Sequence, residues 1–155
     1  MTDLVLTRIS TSEGETLALG AEIGAALTAG DLLALCGPLG AGKTVLVRGI
    51  AAGAGADPER VRSPTFVLHH VYRGATVPLH HLDLYRLGES ADLAFLDVAG
   101  LLESGAVVVE WGDHEGLRHL DPVVVRVDVG AGTDRAFDLD AEGAPPRIVD
   151  VWRRW

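Results

Sequence analysis

Eight consecutive residues carry the strongest chemical signal in this sequence. Gly37-Pro38-Leu39-Gly40-Ala41-Gly42-Lys43-Thr44 follows the pattern Gly-x4-Gly-Lys-Thr, which is the spacing of a nucleotide phosphate loop. The glycines let backbone N–H groups turn inward around a β-phosphate, and the helix that starts at the loop adds positive potential. Leu39, Gly40, Ala41, Gly42, Lys43 and Thr44 are the expected phosphate contacts. Lys43 can bridge the β- and γ-phosphates, and the Thr44 hydroxyl can ligate Mg2+. Twelve of the 13 basic residues are Arg, and Lys43 is the remaining one. Any step that needs a lysine therefore falls to it.

A phosphate loop needs an acidic partner for Mg2+, usually at the end of a buried strand. Glu110 follows Val107-Val108-Val109, and Asp83 follows Leu79-His80-His81-Leu82. One would hold the metal, directly or through water, while the other orients the attacking water or a metal-bound one. A solvated acid at a strand end is the bland alternative for each. Ser63-Pro64-Thr65 lies where a switch-like segment would bring Thr65 to the γ-phosphate. An ordinary loop-to-strand turn explains it equally well.

The composition excludes several phosphate-loop classes. The chain contains neither Asn nor Gln. Guanine recognition through Asn-Lys-x-Asp is therefore impossible, as is the water-orienting Gln of many GTPases. Three readings remain: an ATPase, a small-molecule kinase, and a nucleotide-dependent binding module that does not hydrolyse. No Arg-rich lid segment favours the kinase.

These residues need a scaffold. Leu32 to Cys36 reads as a strand buried on both faces, and Lys43 to Ala52 as the helix after the loop, stopped by Gly53 and Gly55. Leu4 to Ile9 reads as a strand. Ser12-Glu13-Gly14-Glu15 fits a capping box for a helix that uses Leu17, Ile23 and Leu27. Thr65 to Tyr72 and Ala75 to Leu82 read as a hairpin turning at Arg73-Gly74, with His70 opposite Val77. Ser90 to Glu103 reads as a helix weakened at Gly100. Ala106 to Val109 is a further buried strand, and Val123 to Val129 with Arg135 to Leu139 a last strand pair. The expectation is α/β: one domain over residues 1–155, a mixed central sheet covered by helices on both faces, and residues 144–155 as a tail packing back on the domain.

With 155 residues the chain is long enough for a sizeable core, and 48% hydrophobic against 23% charged residues is a globular composition. Met1 to Ser10 makes a poor signal peptide, and no apolar run is long enough to span a bilayer. Lone Cys36 cannot form an internal disulfide, which makes the cytoplasm the expected compartment. A net charge of −9 argues against a large direct contact with nucleic acid. The pairs His69-His70 and His80-His81 point to opposite sheet faces and do not make a zinc site. His81 and Trp111 are candidates to approach the nucleotide beside Asp83 and Glu110, with simple packing as the competing role. Tyr85 and Arg86 could touch phosphate or a partner, or anchor the following segment.

Four elements taken together resemble the TsaE (YjeE) family: the phosphate loop Gly37–Thr44, Ser63-Pro64-Thr65-Phe66, His81-Leu82-Asp83-Leu84-Tyr85-Arg86-Leu87, and Val109-Glu110-Trp111. Glu15 to Gly20 and the late segment with Arg135 are similar to the family's first helix and C-terminal part. The resemblance implies a three-layer phosphate-loop NTPase fold and an Mg2+-dependent ATPase. It also implies two partners, TsaD and TsaB, which transfer the threonylcarbamoyl group to tRNA, so that tRNA is met only through the complex and no membrane is involved. Carried onto this sequence, it places Thr44 and Glu110 around Mg2+, Asp83 as a catalytic or supporting acid and Thr65 as the γ-phosphate sensor. It places Glu13 and Arg135 near the ATP or ADP. The chain departs from the family pattern at Pro38, Val45 and Gly112. None of these removes a phosphate or metal ligand, although Pro38 removes one backbone donor.

Overall fold

The computed structural model describes residues 4–38, 40–62, 68–73, 76–88 and 91–154. Seven strands form one sheet: β1 (Val5–Ser10), β2 (Leu32–Cys36), β3 (His69–Tyr72), β4 (Leu79–Asp83), β5 (Ala106–Glu110), β6 (Val123–Val129) and β7 (Arg135–Asp140). Their order is β1-β7-β6-β2-β5-β4-β3. β6, β2, β5 and β4 run parallel, while β1, β7 and β3 pair antiparallel with their neighbours. The sheet is mixed and flanked by helices, as the α/β reading requires.

Every residue of β2, β4 and β5 is buried, because helices and turns cover both faces of the sheet's centre. On one face Leu33, Leu35 and Val108 pack against α1 (Glu13–Ala26), α2 (Lys43–Gly53) and α4 (Pro146–Arg153). On the other, Leu32, Val107 and Val109 meet Leu84, Leu93, Val98 and Leu117 around the short helix α3 (Val98–Leu102) and turns of 3-10 helix. The β1–β7–β6 wing differs. Its inner residues Phe137 and Leu139 are fully buried, whereas Val5, Ile9 and Val129 are about half exposed on or beside its outer surface.

Helices α1 and α2 touch backbone to backbone. A Cβ on Gly24 would fall 2.0 Å from the Ile50 carbonyl oxygen, and one on Gly53 would fall 2.0 Å from that of Ala21. Only glycine permits this approach, and it fixes the helix that carries Lys43 and Thr44. At the start of α1 the Ser12 hydroxyl accepts the Glu15 N–H at 3.1 Å. The Glu15 carboxylate reaches one residue further back than a standard capping box, to the Thr11 N–H and hydroxyl, both at 2.6 Å.

Two local expectations are corrected. The β3–β4 register pairs His70 with His81 instead of Val77. Tyr72 pairs with Leu79, so the connection spans residues 73–78, with Gly74 outside the described residues. Pro78 lacks the N–H that would extend the ladder, and β4 starts just beyond it. The shift is even, so each side chain keeps the face expected of it. The single helix over 90–103 is replaced by a 3-10 turn at Ala94–Leu96 followed by α3. The break falls at Asp97 and not at Gly100: Asp97 adopts φ 47° and its carboxylate caps α3 by accepting the Gly100 N–H at 3.3 Å. The C-terminal segment from Pro146 is the helix α4. Trp152 is buried and donates its indole N–H to the Phe137 carbonyl at 2.9 Å. Arg147 donates to the Ala26 carbonyl at 2.9 Å and pairs with Asp31. Among the described residues no helix is long and apolar enough to cross a membrane.

Candidate active site

The carboxyl ends of β2, β4 and β5 converge at the loop that follows β2. Gly40 (φ 77°) and Gly42 (φ 95°) take left-handed backbone conformations that side chains rarely adopt. Gly42 then opens α2. β4 and β5 run parallel with Asp83 opposite Glu110. A cavity of about 360 Å³ results, lined by Gly40, Ala41, Gly42, Lys43, Thr44 and Val45 on one side and by Asp83, Tyr85, Glu110 and Trp111 on the other. A roomier cleft of about 590 Å³ lies between residues 91–99 and 115–120. Its charged groups, Asp92, Asp97 and Glu115, are all exposed and it offers no buried cation.

Lys43 is buried and donates to the Gly37 and Pro38 carbonyls, the second at 3.1 Å. Its ammonium lies 3.6 Å from the centre of the Trp111 ring, a cation–π contact. Burial pulls its pKa below the usual lysine value, while Glu110 and Asp83 oppose the shift. Trp111 adopts φ 60°. For so bulky a residue that conformation costs on the order of 1–3 kcal/mol, and here it accompanies the stacking of the indole on Lys43. The Tyr85 ring packs against Trp111 at a 41° tilt with ring centres 5.0 Å apart. The Thr44 hydroxyl lies 3.0 and 3.2 Å from the two carboxylate oxygens of Glu110 and donates to them. The buried Asp83 accepts the Tyr85 N–H at 2.9 Å.

The sequence-derived residues fall into three groups. Gly40, Ala41, Gly42, Lys43, Thr44, Asp83 and Glu110 are brought together around the cavity. Arg135 lies behind the loop, its guanidinium donating to the Ala41 carbonyl at 3.0 Å and reaching that of Gly40 at 3.5 Å. Glu13 is exposed in the first turn of α1, three residues past Ser10, the strand partner of Arg135, and is not among the cavity residues. Leu39 and Thr65, with the rest of residues 63–67, lie outside the described residues.

His81 was absent from that set as a site residue with a defined role. It is fully buried, and its Nε2 is 2.6 Å from the Glu110 carboxylate. The signal was present in the strand period: His81 stands two residues before Asp83 and therefore shares its sheet face. Only the β4–β5 register, which pairs His81 with Val108, shows that this face also carries Glu110.

The donor set around Thr44 suits Mg2+. A hydroxyl and two carboxylates supply hard oxygens, and Mg2+ typically takes one or two carboxylates and fills its octahedron with phosphates and water. Among the described residues there is no group of three or more His, Cys, Asp or Glu that could cage a metal by itself.

Comparison with known proteins points one way. Residues 10–136 match the family "Threonylcarbamoyl adenosine biosynthesis protein TsaE". The chain is 47% identical over 128 residues to the tRNA threonylcarbamoyladenosine biosynthesis protein TsaE of Mycobacterium tuberculosis, covering 73% of this chain and 74% of that protein. It is 45% identical over 142 residues to the TsaE protein of Streptomyces coelicolor, covering 88% and 91%. The crystal structure of Bacillus subtilus YdiB superposes with a TM-score of 0.76 over 99% of this chain and 97% of that one, at 21% identity, and shares the fold.

Proposed function

This chain belongs to the TsaE family of threonylcarbamoyl adenosine biosynthesis proteins, and from that premise we propose that it is an Mg2+-dependent ATPase supporting a TsaD–TsaB transferase in tRNA modification. The observation that carries this reading is the meeting of buried Lys43 with the Thr44–Glu110 pair in one cavity at a strand–loop–helix junction.

Nucleotide binding exchanges the Gly37 and Pro38 carbonyls on Lys43 for β- and γ-phosphate oxygens. The loop N–H groups around Gly40 to Thr44 and the start of α2 hold the remaining phosphate charge. Thr44 and Glu110 hold Mg2+, which supplies charge neutralisation when bound. With no Gln in the chain, the attacking water is oriented by a carboxylate, for which Asp83 at the cavity wall is the candidate. Thr65 senses the γ-phosphate. Arg135 steadies the loop from behind and, with Glu13, borders the ATP or ADP. Catalysis is then chiefly positioning and electrostatic stabilisation of an in-line attack. With no Gln to hold the water, the isolated chain hydrolyses slowly, and the partners complete the site. The work is cytoplasmic, and a chain of net charge −9 meets tRNA through its partners.

The test is ATP hydrolysis with Mg2+ by the protein alone and with TsaD–TsaB, with Lys43→Ala as control. Stimulation by the partners that disappears in the variant supports the reading. Equal rates with and without partners overturn the partnership, and phosphate transfer to an added metabolite would move the protein among the kinases.

A further inference from the structure

The Glu110 carboxylate is the end of a buried chain of hydrogen bonds that the phosphate loop does not explain. It runs from Tyr72 on the edge strand β3 through His81 on β4 to Glu110 on β5, and from there to Thr44 on α2. The three donor–acceptor distances are 2.7, 2.6 and 3.0 Å. Tyr72, His81 and Glu110 are each less than 5% exposed. The register places them on one sheet face: Tyr72 opposite Leu79, two residues before His81, and Val108 opposite His81, two residues before Glu110.

With a neutral imidazole at His81 the chain has a single consistent direction. An ionised carboxylate only accepts, so both Thr44 and His81 must donate to Glu110. The His81 proton therefore sits on Nε2, and its Nδ1 lone pair faces the Tyr72 hydroxyl. Tyr72 donates to it, since its other neighbour, the Arg62 carbonyl, is at 3.5 Å, the limit of a hydrogen bond. Burial raises the Tyr72 phenol to about 12, which keeps that proton in place. His81 engages Oε2, while Oε1 lies nearer the Thr44 hydroxyl.

We propose that His81, oriented by Tyr72, is the positioning residue that aims the Glu110 carboxylate at the metal beside Thr44. The inference rests on the reading of Thr44 and Glu110 as the Mg2+ site. Groups that hold a metal ligand by its second atom commonly carry 10- to 100-fold of metal affinity or activity. A histidine that merely filled space could be replaced by an apolar side chain of similar volume without effect on the metal.

The experiment uses the full chain and its His81→Leu, His81→Gln and Tyr72→Phe variants. Mn2+ replaces Mg2+ so that metal retained by the ATP-bound protein can be titrated by electron paramagnetic resonance. ATP binding in EDTA is followed by tryptophan fluorescence, and turnover is measured in parallel. The expected result is a loss of about tenfold or more in Mn2+ affinity and in kcat for His81→Leu, with ATP affinity in EDTA unchanged. His81→Gln keeps an N–H donor toward Glu110 and restores most of the loss, and Tyr72→Phe falls between. Wild-type Mn2+ affinity in both His81→Leu and Tyr72→Phe overturns the proposal. So does a loss that His81→Gln fails to restore. If His81→Leu does not fold, Tyr72→Phe, which removes one oxygen, decides alone. A wild-type protein that binds ATP but retains no Mn2+ would overturn the metal site itself, a failure visible before any variant is made.

Discussion

The two halves of the sheet are built to different rules. In the centre, β4 and β5 carry Asp83, His81 and Glu110 in full burial, and α2 sets buried Lys43 against them. Burying charge is costly unless each group is paired: here Glu110 is tied to His81 and Thr44 across three elements, Lys43 is held by the Gly37 and Pro38 carbonyls, and Asp83 accepts the Tyr85 N–H. In the β1–β7–β6 wing the buried side is mainly apolar, around Phe137, Leu139, Val151 and Trp152, with Arg8 paired to Glu22 and Ser10 bonded to Thr16 along β1, and Val5, Ile9 and Val129 are left about half exposed. The centre spends stability on holding chemistry, and the wing with α4 supplies packing. Damage to the centre should therefore appear as lost activity in a folded protein, and damage to the wing as lost stability in a protein that stays competent while folded.

The largest effect expected is that of Lys43→Ala, which should lower kcat/KM for ATP by about 10²–10³-fold or more while near-native circular dichroism is retained. Loss of the fold instead would break the contrast. In the wing, Trp152→Ala should cost about 3–5 kcal/mol, read by urea denaturation, because it empties a large buried volume and removes the indole hydrogen bond to the Phe137 carbonyl. ATP affinity of the folded fraction should be unchanged. Gly53→Ala sharpens the comparison at the boundary. Its Cβ would collide with the Ala21 backbone, so a cost of about 1–3 kcal/mol should come together with weaker ATP binding, since α2 must move. Acid should act on the strand pair β3–β4. Burial, with help from neighbouring imidazoles, holds His69 and His80 below their ordinary value of 6.5. The unfolded chain then binds more protons than the folded one as pH falls through that value. Stability should decline below about pH 6.5 and be restored on neutralisation, and His80→Phe should flatten that decline in thermal melts recorded across pH. The smallest effect is that of Ile9→Thr on the wing's outer face, expected within about 0.5 kcal/mol of the parent.

What could be read from the residues alone follows the same division. The Gly-rich loop, its flanking strand and helix, and the two acids at strand ends were legible because each signal is local: a spacing, a run of Val, a terminal carboxylate. The break at Asp97 was not, because a capping aspartate in a left-handed conformation competes with a helix only once Leu93 and Val98 have been drawn into the core. The hairpin register was misjudged by four residues, since Arg73-Gly74 resembles a tight turn while Pro78 delays the second strand. The role of His81 was invisible for a deeper reason. It depends on β4 lying beside β5, a pairing between segments separated by a 3-10 turn and α3, and no short window of sequence contains it. Arg135 likewise reaches the Ala41 carbonyl across 94 positions of chain.

The strand order has a consequence for how the protein comes into being. β2, which leads into the Gly-rich loop, is hydrogen-bonded on one side to β5 and on the other to β6. β1 has its partner in β7. A ribosome making this chain releases the loop early and its supports late. Until residues 106–129 have emerged, β2 lacks one or both neighbours, and the Gly-rich turn has no complete sheet to be presented from. Such distant pairings close slowly, so a nascent chain holds no formed candidate site until most of its length is made, and the cavity appears almost together with the finished molecule.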